Sequence, residues 1–320
     1  MKDPFADGKN RWQAAHTAIN GIVSSVDSIV RFGLTTYTSD NGFGPSWPDN
    51  PPFRECPVFD TEIDFALGNS DDIGDLDQYP YSYPSGAGAD TPTGDSIDAL
   101  VTKIQNNPPP NEGPTVIVLA TDGAPDSCEY PNPSNSTQQD SARDEVVAAA
   151  MAAHAPAPAG PGIDTFVLWV GALTNDSIQN HLKEVANAGI GLPRATGVPA
   201  PANEDPETPA EGAPFWVGDQ PERLQAALQN IVYDSISCEI EIDKPFNPET
   251  IAEACEDGVV TLNGAPLECN VDWQVKDEPP YNVIELLGTV QDPSSACGTF
   301  KTDENAELKA TFPCGTVIVQ

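Results

Sequence analysis

Apolar residues recur at helical intervals from Arg11 to Ile29, where Trp12, Ala15, Ala18, Ile19, Ile22, Val23 and Val26 fall on one side. A strand rich in aromatic and β-branched residues follows at Arg31 to Ser39 (RFGLTTYTS), and more strand material at Phe59 to Leu67 (FDTEIDFAL). The loop between them is loaded with Pro, Gly and Asn and carries Cys56; an acidic loop then runs from Asn69 to Asp90. At Asp90 the pattern becomes D-T-P-T-G-D-S-I-D-A-L, a helix start that feeds Ile97, Leu100, Val101 and Ile104. TVIVLATDG (Thr115 to Gly123) and IDTFVLWVG (Ile163 to Gly171) are continuous apolar runs ending in turns, the pattern of strands buried on both faces. Helices are predicted at Ser141 to His154, Asp176 to Ala188 and Pro221 to Ile236, with a Pro-rich excursion from Gly191 to Pro214 and a short FWV at Phe215 to Val217.

Helices alternating with apolar strands predict an α/β fold built on a mainly parallel sheet. After Ser237 the rhythm changes to short strands: CEIEID, VVTLNG, NVIELLG, ELKATF and TVIVQ. Asn263-Gly264 marks a tight turn between VVTL and APLE. The chain therefore divides into an α/β domain over residues 1–236 and a small disulfide-rich β domain over 237–320.

Charge narrows the function classes. Lys and Arg number 14 against 49 Asp and Glu, a formal charge of −35, so there are too few cations to build a basic face for nucleic acid or a polybasic membrane anchor. The 33 Pro and 25 Gly favour long loops over a helical bundle. Seven cysteines, with no C-x-x-C pair and with His16, His154 and His181 far from all of them in sequence, read as disulfides of an oxidising compartment, not a zinc site. Seven is odd, so one thiol is free, bonds another chain or has lost its partner. No run of about 18 or more apolar residues is present, so no transmembrane helix is expected. Met1-Lys2-Asp3-Pro4-Phe5 also lacks the apolar core of an export signal.

Two positions carry the chemistry. Thr91 lies in the T-P-T-G loop that opens a helix, and Asp122 lies in T-D-G at the end of a buried strand. Taken singly, Thr91 reads as a helix N-cap and Asp122 as a turn residue. In an open parallel sheet, however, ligands collect beyond the carboxyl ends of the strands. A carboxylate and a hydroxyl there are oxygen ligands suited to magnesium, which keeps several waters and leaves room for an incoming acid. The acidic stretch Asn69 to Asp75 fails the calcium-loop pattern, because Ile73 and Pro80 stand where ligands are needed; a solvated loop is the reading, with weak calcium binding by Asp71, Asp72, Asp75 and Asp77 as its alternative. No P-loop, G-x-S-x-G or H-E-x-x-H motif is present, and no enzyme is expected.

The stretches RWQAAHTAINGIV, IVRFGLTTYTS, GADTPTGDSIDAL and PTVIVLATDGAPDSC, in that order, resemble the von Willebrand factor A-type (vWA) domain over about residues 1–236. That resemblance implies a doubly wound, Rossmann-like sheet with a metal-ion-dependent adhesion site built from three loops. Thr91 matches the family's Thr and Asp122 the Asp of the third loop. The first loop, D-x-S-x-S, is absent from the chain, and Met1 would correspond to the Met that ends it in D-x-S-G-S-M. The expectation is that the complete protein extends upstream with an export signal, a buried central strand and the missing Asp and two Ser. The implied function is adhesion or interaction through Mg2+ (or Ca2+ or Mn2+), held poorly or not at all by the truncated chain. The partner is a protein or surface polymer that supplies an acidic group, and the location extracellular, periplasmic or cell-envelope. The alternatives are a metal-free structural envelope protein and, behind it, a metal-assisted hydrolase. In this fold Cys56 and Cys128 would lie in loops on the metal-bearing side, and a disulfide between them would brace it. For the tail, sequence proximity suggests Cys255 with Cys269 and Cys297 with Cys314, leaving Cys238 unpaired. The tail itself loosely resembles the β appendage that follows such domains in exported proteins of some Gram-negative bacteria.

Overall fold

A computed structural model describes residues 1, 3–5, 8–40, 55–76, 90–109, 114–193, 212–235, 238–242, 244–279, 281–288, 292, 294–302, 306–313 and 316. The chain forms two compact units, Met1–Ile231 and Val232–Gln320. Residues 77–89 of the acidic loop, Asp77 among them, residues 194–211 of the Pro-rich loop, Cys314 and the TVIVQ strand beyond Thr316 lie outside the described residues.

In the first unit α1 (Arg11–Val26) opens with a capping box: Asn10 accepts from the Gln13 N–H, and the Gln13 side chain accepts from the Asn10 N–H. Its apolar stripe, including Trp12, Ile22 and Val23, is buried. Next, β1 (Phe32–Asp40) pairs antiparallel with β2 (Glu55–Ala66), placing Leu34 opposite Ile63 and Tyr37 opposite Phe59. The short helix α2 (Ser70–Gly74) occupies the start of the predicted acidic loop; Asp71 and Asp72 in its first turn complement the helix dipole. Then come α3 (Thr93–Asn106), β3 (Val116–Thr121), α4 (Ser136–His154), β4 (Asp164–Val170), α5 (Asp176–Gly189), β5 (Trp216–Gly218) and α6 (Pro221–Asp234).

The parallel sheet has the order β3-β4-β5. Ile117, Leu119, Val167 and Trp169 pack on one face against Ile97 and Ile104 of α3, Val146 and Ala150 of α4, and Leu182 and Val185 of α5. Leu168 and Val170, which point to the opposite face of β4, are also fully buried, so this strand is covered on both sides as its unbroken apolar run predicts. Among the described residues, β1 and β2 are hydrogen-bonded to each other and not to the parallel sheet. Tyr37 bridges the two parts by packing its ring on the core.

The second unit holds two antiparallel sheets, β6-β10-β9 and β11-β7-β8, from β6 (Glu239–Glu241), β7 (Val259–Leu262), β8 (Ala265–Leu267), β9 (Trp273–Val275), β10 (Val283–Leu286) and β11 (Leu308–Thr311). Asn263 and Gly264, with φ of 53° and 81°, make the two-residue turn between β7 and β8. Trp273, Phe246, Val260, Ile284 and Leu286 form the core. Two short helices, α7 (Ile251–Asp257) and α8 (Ala296–Thr302), depart from the purely β reading of this tail.

Three disulfides are present among the described residues. Cys56 joins Cys128 and Cys255 joins Cys269, as anticipated. The expected Cys297–Cys314 pair is not formed: Cys297 bonds Cys238, with Cα atoms 5.6 Å apart. Strand β10 brings these two together, since Leu286 N–H donates to the Cys238 carbonyl and Cys297 N–H donates to Leu287, just beyond the strand. Proximity along the chain is therefore overruled by strand pairing 59 residues apart.

Candidate functional site

Two loops meet at the carboxyl end of β3. Asp122 follows the last residue of that strand, and its side chain is 16% exposed. One carboxylate oxygen lies 2.5 Å from the Met1 amine and 3.3 Å from Arg11 Nη1, which also donates to the Asp122 carbonyl at 3.1 Å. Arg11 reaches this point past Gly171 at the end of β4, where a Cβ would stand 2.8 Å from the guanidinium Nε and where φ is +116°. A side chain at 171 would thus collide with the ion pair as well as strain the backbone.

Thr91 lies two residues before α3, whose N-cap is Pro92, a residue with no side-chain acceptor to offer; Thr91 is not the cap. Its backbone is instead zipped to the second loop: Thr91 N–H donates to Asp126 Oδ2 at 3.0 Å, and Asp126 N–H donates to the Thr91 carbonyl at 2.9 Å. The same carbonyl accepts from the N–H and the hydroxyl of Thr93. The T-P-T-G loop and the T-D-G-A-P-D loop are thereby one structural feature.

Beneath the rim, the Tyr37 hydroxyl lies 3.2 Å from Thr93 Oγ1. Burial pushes its phenol up to about 12; hydrogen bonds with Thr93 and Thr121 act against that, and the charge of Asp122 adds to it. Burial also lifts the Asp126 carboxyl to about 6, opposed by the Thr91 N–H and reinforced by Asp90. Asp90 is itself raised by burial, opposed by the Ser39 hydroxyl 2.8 Å away. Behind them Asp95 accepts the Cys128 N–H at 2.7 Å. Glu145 on α4 is raised to about 7 by burial and then by its hydrogen bond with Asp95. The Cys56–Cys128 bond ties the start of β2 to this loop system. A cleft of about 470 Å³ opens beside it, lined in part by Asp126, Asn132, Arg143 and Asn175.

Sequence reasoning singled out Thr91 and Asp122 and passed over Asp126, Asp90, Arg11 and Tyr37. Asp126 was visible as the second acid of D-G-A-P-D; the others required the fold. Among the acids of the supposed calcium loop, Asp71 and Asp72 are helix-start residues of α2. His16 is buried, its Nε2 lying 2.8 Å from the Ile73 carbonyl, a packing role. Trp12, Trp169 and Trp216 are buried as the apolar pattern implies. No helix among the described residues is long and apolar enough to cross a membrane.

The oxygen donors gathered here suit a hard divalent cation. Asp122 also faces the Arg11 guanidinium, 3.3 Å away. No protein-family model, no curated protein and no solved structure matches the chain.

Proposed function

We propose that the first unit is a vWA-type, doubly wound domain that binds rather than catalyses. Thr91 and Asp122 supply oxygens to Mg2+, or to Ca2+ or Mn2+, and an acidic group from a partner protein or surface polymer completes the shell. The reading is carried by the Thr91–Asp126 zipper, which fixes the hydroxyl-bearing loop to the carboxylate-bearing loop beyond the end of a parallel strand. The ion supplies the attraction, because an acidic partner would otherwise meet Asp90, Asp122 and Asp126 as like charges. Three disulfides support an exported location, extracellular, periplasmic or in the cell envelope.

The Arg11–Asp122 ion pair favours a second reading, a metal-free structural protein of the envelope in which arginine stands in for the cation. Calorimetric titration of the chain, and of a form extended to include the D-x-S-x-S loop, with Mn2+ separates the two. Under the first reading the extended form binds one ion, EDTA removes it, and Asp122→Ala lowers affinity at least tenfold. Binding absent from the extended form, or unchanged by Asp122→Ala, leaves the structural reading.

A further inference from the structure

Away from the rim, ligand atoms from three elements converge on one point. The sulfurs of Cys56, at the start of β2, and Cys128, in the loop after β3, lie with a carboxylate oxygen of Asp95, in the first turn of α3, all within 4.8 Å of one another. The two sulfurs are bonded to each other, and a disulfide sulfur is no thiolate ligand. The carboxylate is positioned by other means: Asp95 Oδ2 accepts the Cys128 N–H at 2.7 Å, and Glu145 hydrogen-bonds to Asp95 from α4. All three residues are half-buried, so solvent and ions have access.

We propose that reduction of Cys56–Cys128 converts this bridge into a zinc site, with two thiolates and the Asp95 carboxylate as protein ligands and water in the fourth position. Zinc takes sulfur at about 2.3 Å and carboxylate oxygen at about 2.0–2.2 Å in a tetrahedron, which puts ligand atoms about 3.5–3.8 Å apart. The three ligand atoms already lie within 4.8 Å of one another, so closing onto an ion takes a shift of about 1 Å. Once their bond is broken, the sulfurs need only rotate apart, while Cα atoms 5.5 Å apart stay in place. The disulfide takes up two electrons from a dithiol or phosphine and two protons from the dithiol or from water; the reductant is oxidised in turn to a disulfide or, with water's oxygen, to a phosphine oxide. The two thiols then release two protons as the ion binds. Thiolates select zinc over magnesium, which separates this site from the oxygen-donor rim. In either state the start of β2 remains fastened to the loop that carries Asp122, by a covalent bond or by a metal.

The full chain is reduced with a phosphine and alkylated with and without zinc, and each cysteine is followed by peptide mass mapping. Zinc is expected to slow modification of Cys56 and Cys128 at least tenfold, with EDTA restoring the rate and the other five cysteines unaffected. Cobalt(II) is expected to give a thiolate charge-transfer band in the reduced chain that is lost in Cys56→Ser and absent from the oxidised protein. Asp95→Asn, which keeps both thiols, is expected to weaken zinc by about tenfold or more. Equal alkylation with and without zinc overturns the proposal. So does protection spread over all the cysteines, or unchanged affinity in Asp95→Asn.

Discussion

Glu145 shows how a half-buried carboxyl at the rim writes itself into pH dependence. Its folded-state value of about 7 stands above the ordinary 4.5, because burial and the neighbouring Asp95 disfavour its charge. Between those values the folded chain holds more protons than the unfolded one, so stability falls as pH rises from about 4.5 to 7 and stays lowered above that. Glu145→Gln keeps the shape and a hydrogen bond to Asp95 but cannot ionise. Denaturant titrations should find it more stable than the parent at pH 8 by about 1 kcal/mol, a figure discounted for solvent screening, and level with it at pH 4. A parent advantage at pH 8 would contradict this. At the same scale, the residues legible in the sequence were those with a local signature, Thr91 and Asp122 at element ends. Arg11 and Tyr37 reach the rim across 111 and 56 residues of chain, a relation that no spacing rule encodes. Gly171 adds a test of the first: Gly171→Ala should cost about 1–3 kcal/mol in stability through the forbidden φ and the displaced guanidinium, whereas Gly123→Ala, with open space around it, should cost less.

At the level of elements, the apolar runs and helical stripes predicted nearly every segment of the first unit, because both periodicities survive intact in strands and helices that face a core. Boundaries moved where polar chemistry decides them: α4 begins at Ser136, five residues before its Ala-rich stretch, since Asn135 caps it by accepting the Gln138 N–H. In the second unit, α7 and α8 are seven residues each, too short to display a helical period. The Cys238–Cys297 bond eluded sequence proximity for a related reason, being set by pairing of β6 with β10. Loop length also ranks the bridges. Chain entropy gives about 4 kcal/mol for the 72-residue separation of Cys56–Cys128 and about 3 kcal/mol for the 14-residue separation of Cys255–Cys269. Paired Cys→Ala variants compared by chemical denaturation should follow that order; the reverse order would point to native-state strain.

The whole molecule carries −35, a self-repulsion that the compact state concentrates and the unfolded chain relieves. Sodium chloride raised from about 10 mM to 0.5 M shortens the Debye length from about 30 Å to about 4 Å, so the melting temperature should rise with salt. Magnesium compared with sodium at equal ionic strength then isolates specific binding from screening: an extra rise that Asp122→Ala removes belongs to the rim, and an equal rise belongs to the charge alone.

The phenol of Tyr37 spans the interval between the antiparallel pair and the parallel sheet, partly buried and resistant to ionisation below about pH 12. The chain has seven tyrosines, and the ultraviolet absorbance of each changes as its proton leaves. In an alkaline titration this ring should therefore be silent while its exposed counterparts respond. The moment it joins them marks the parting of the two halves of the domain, a built-in optical gauge that needs no label.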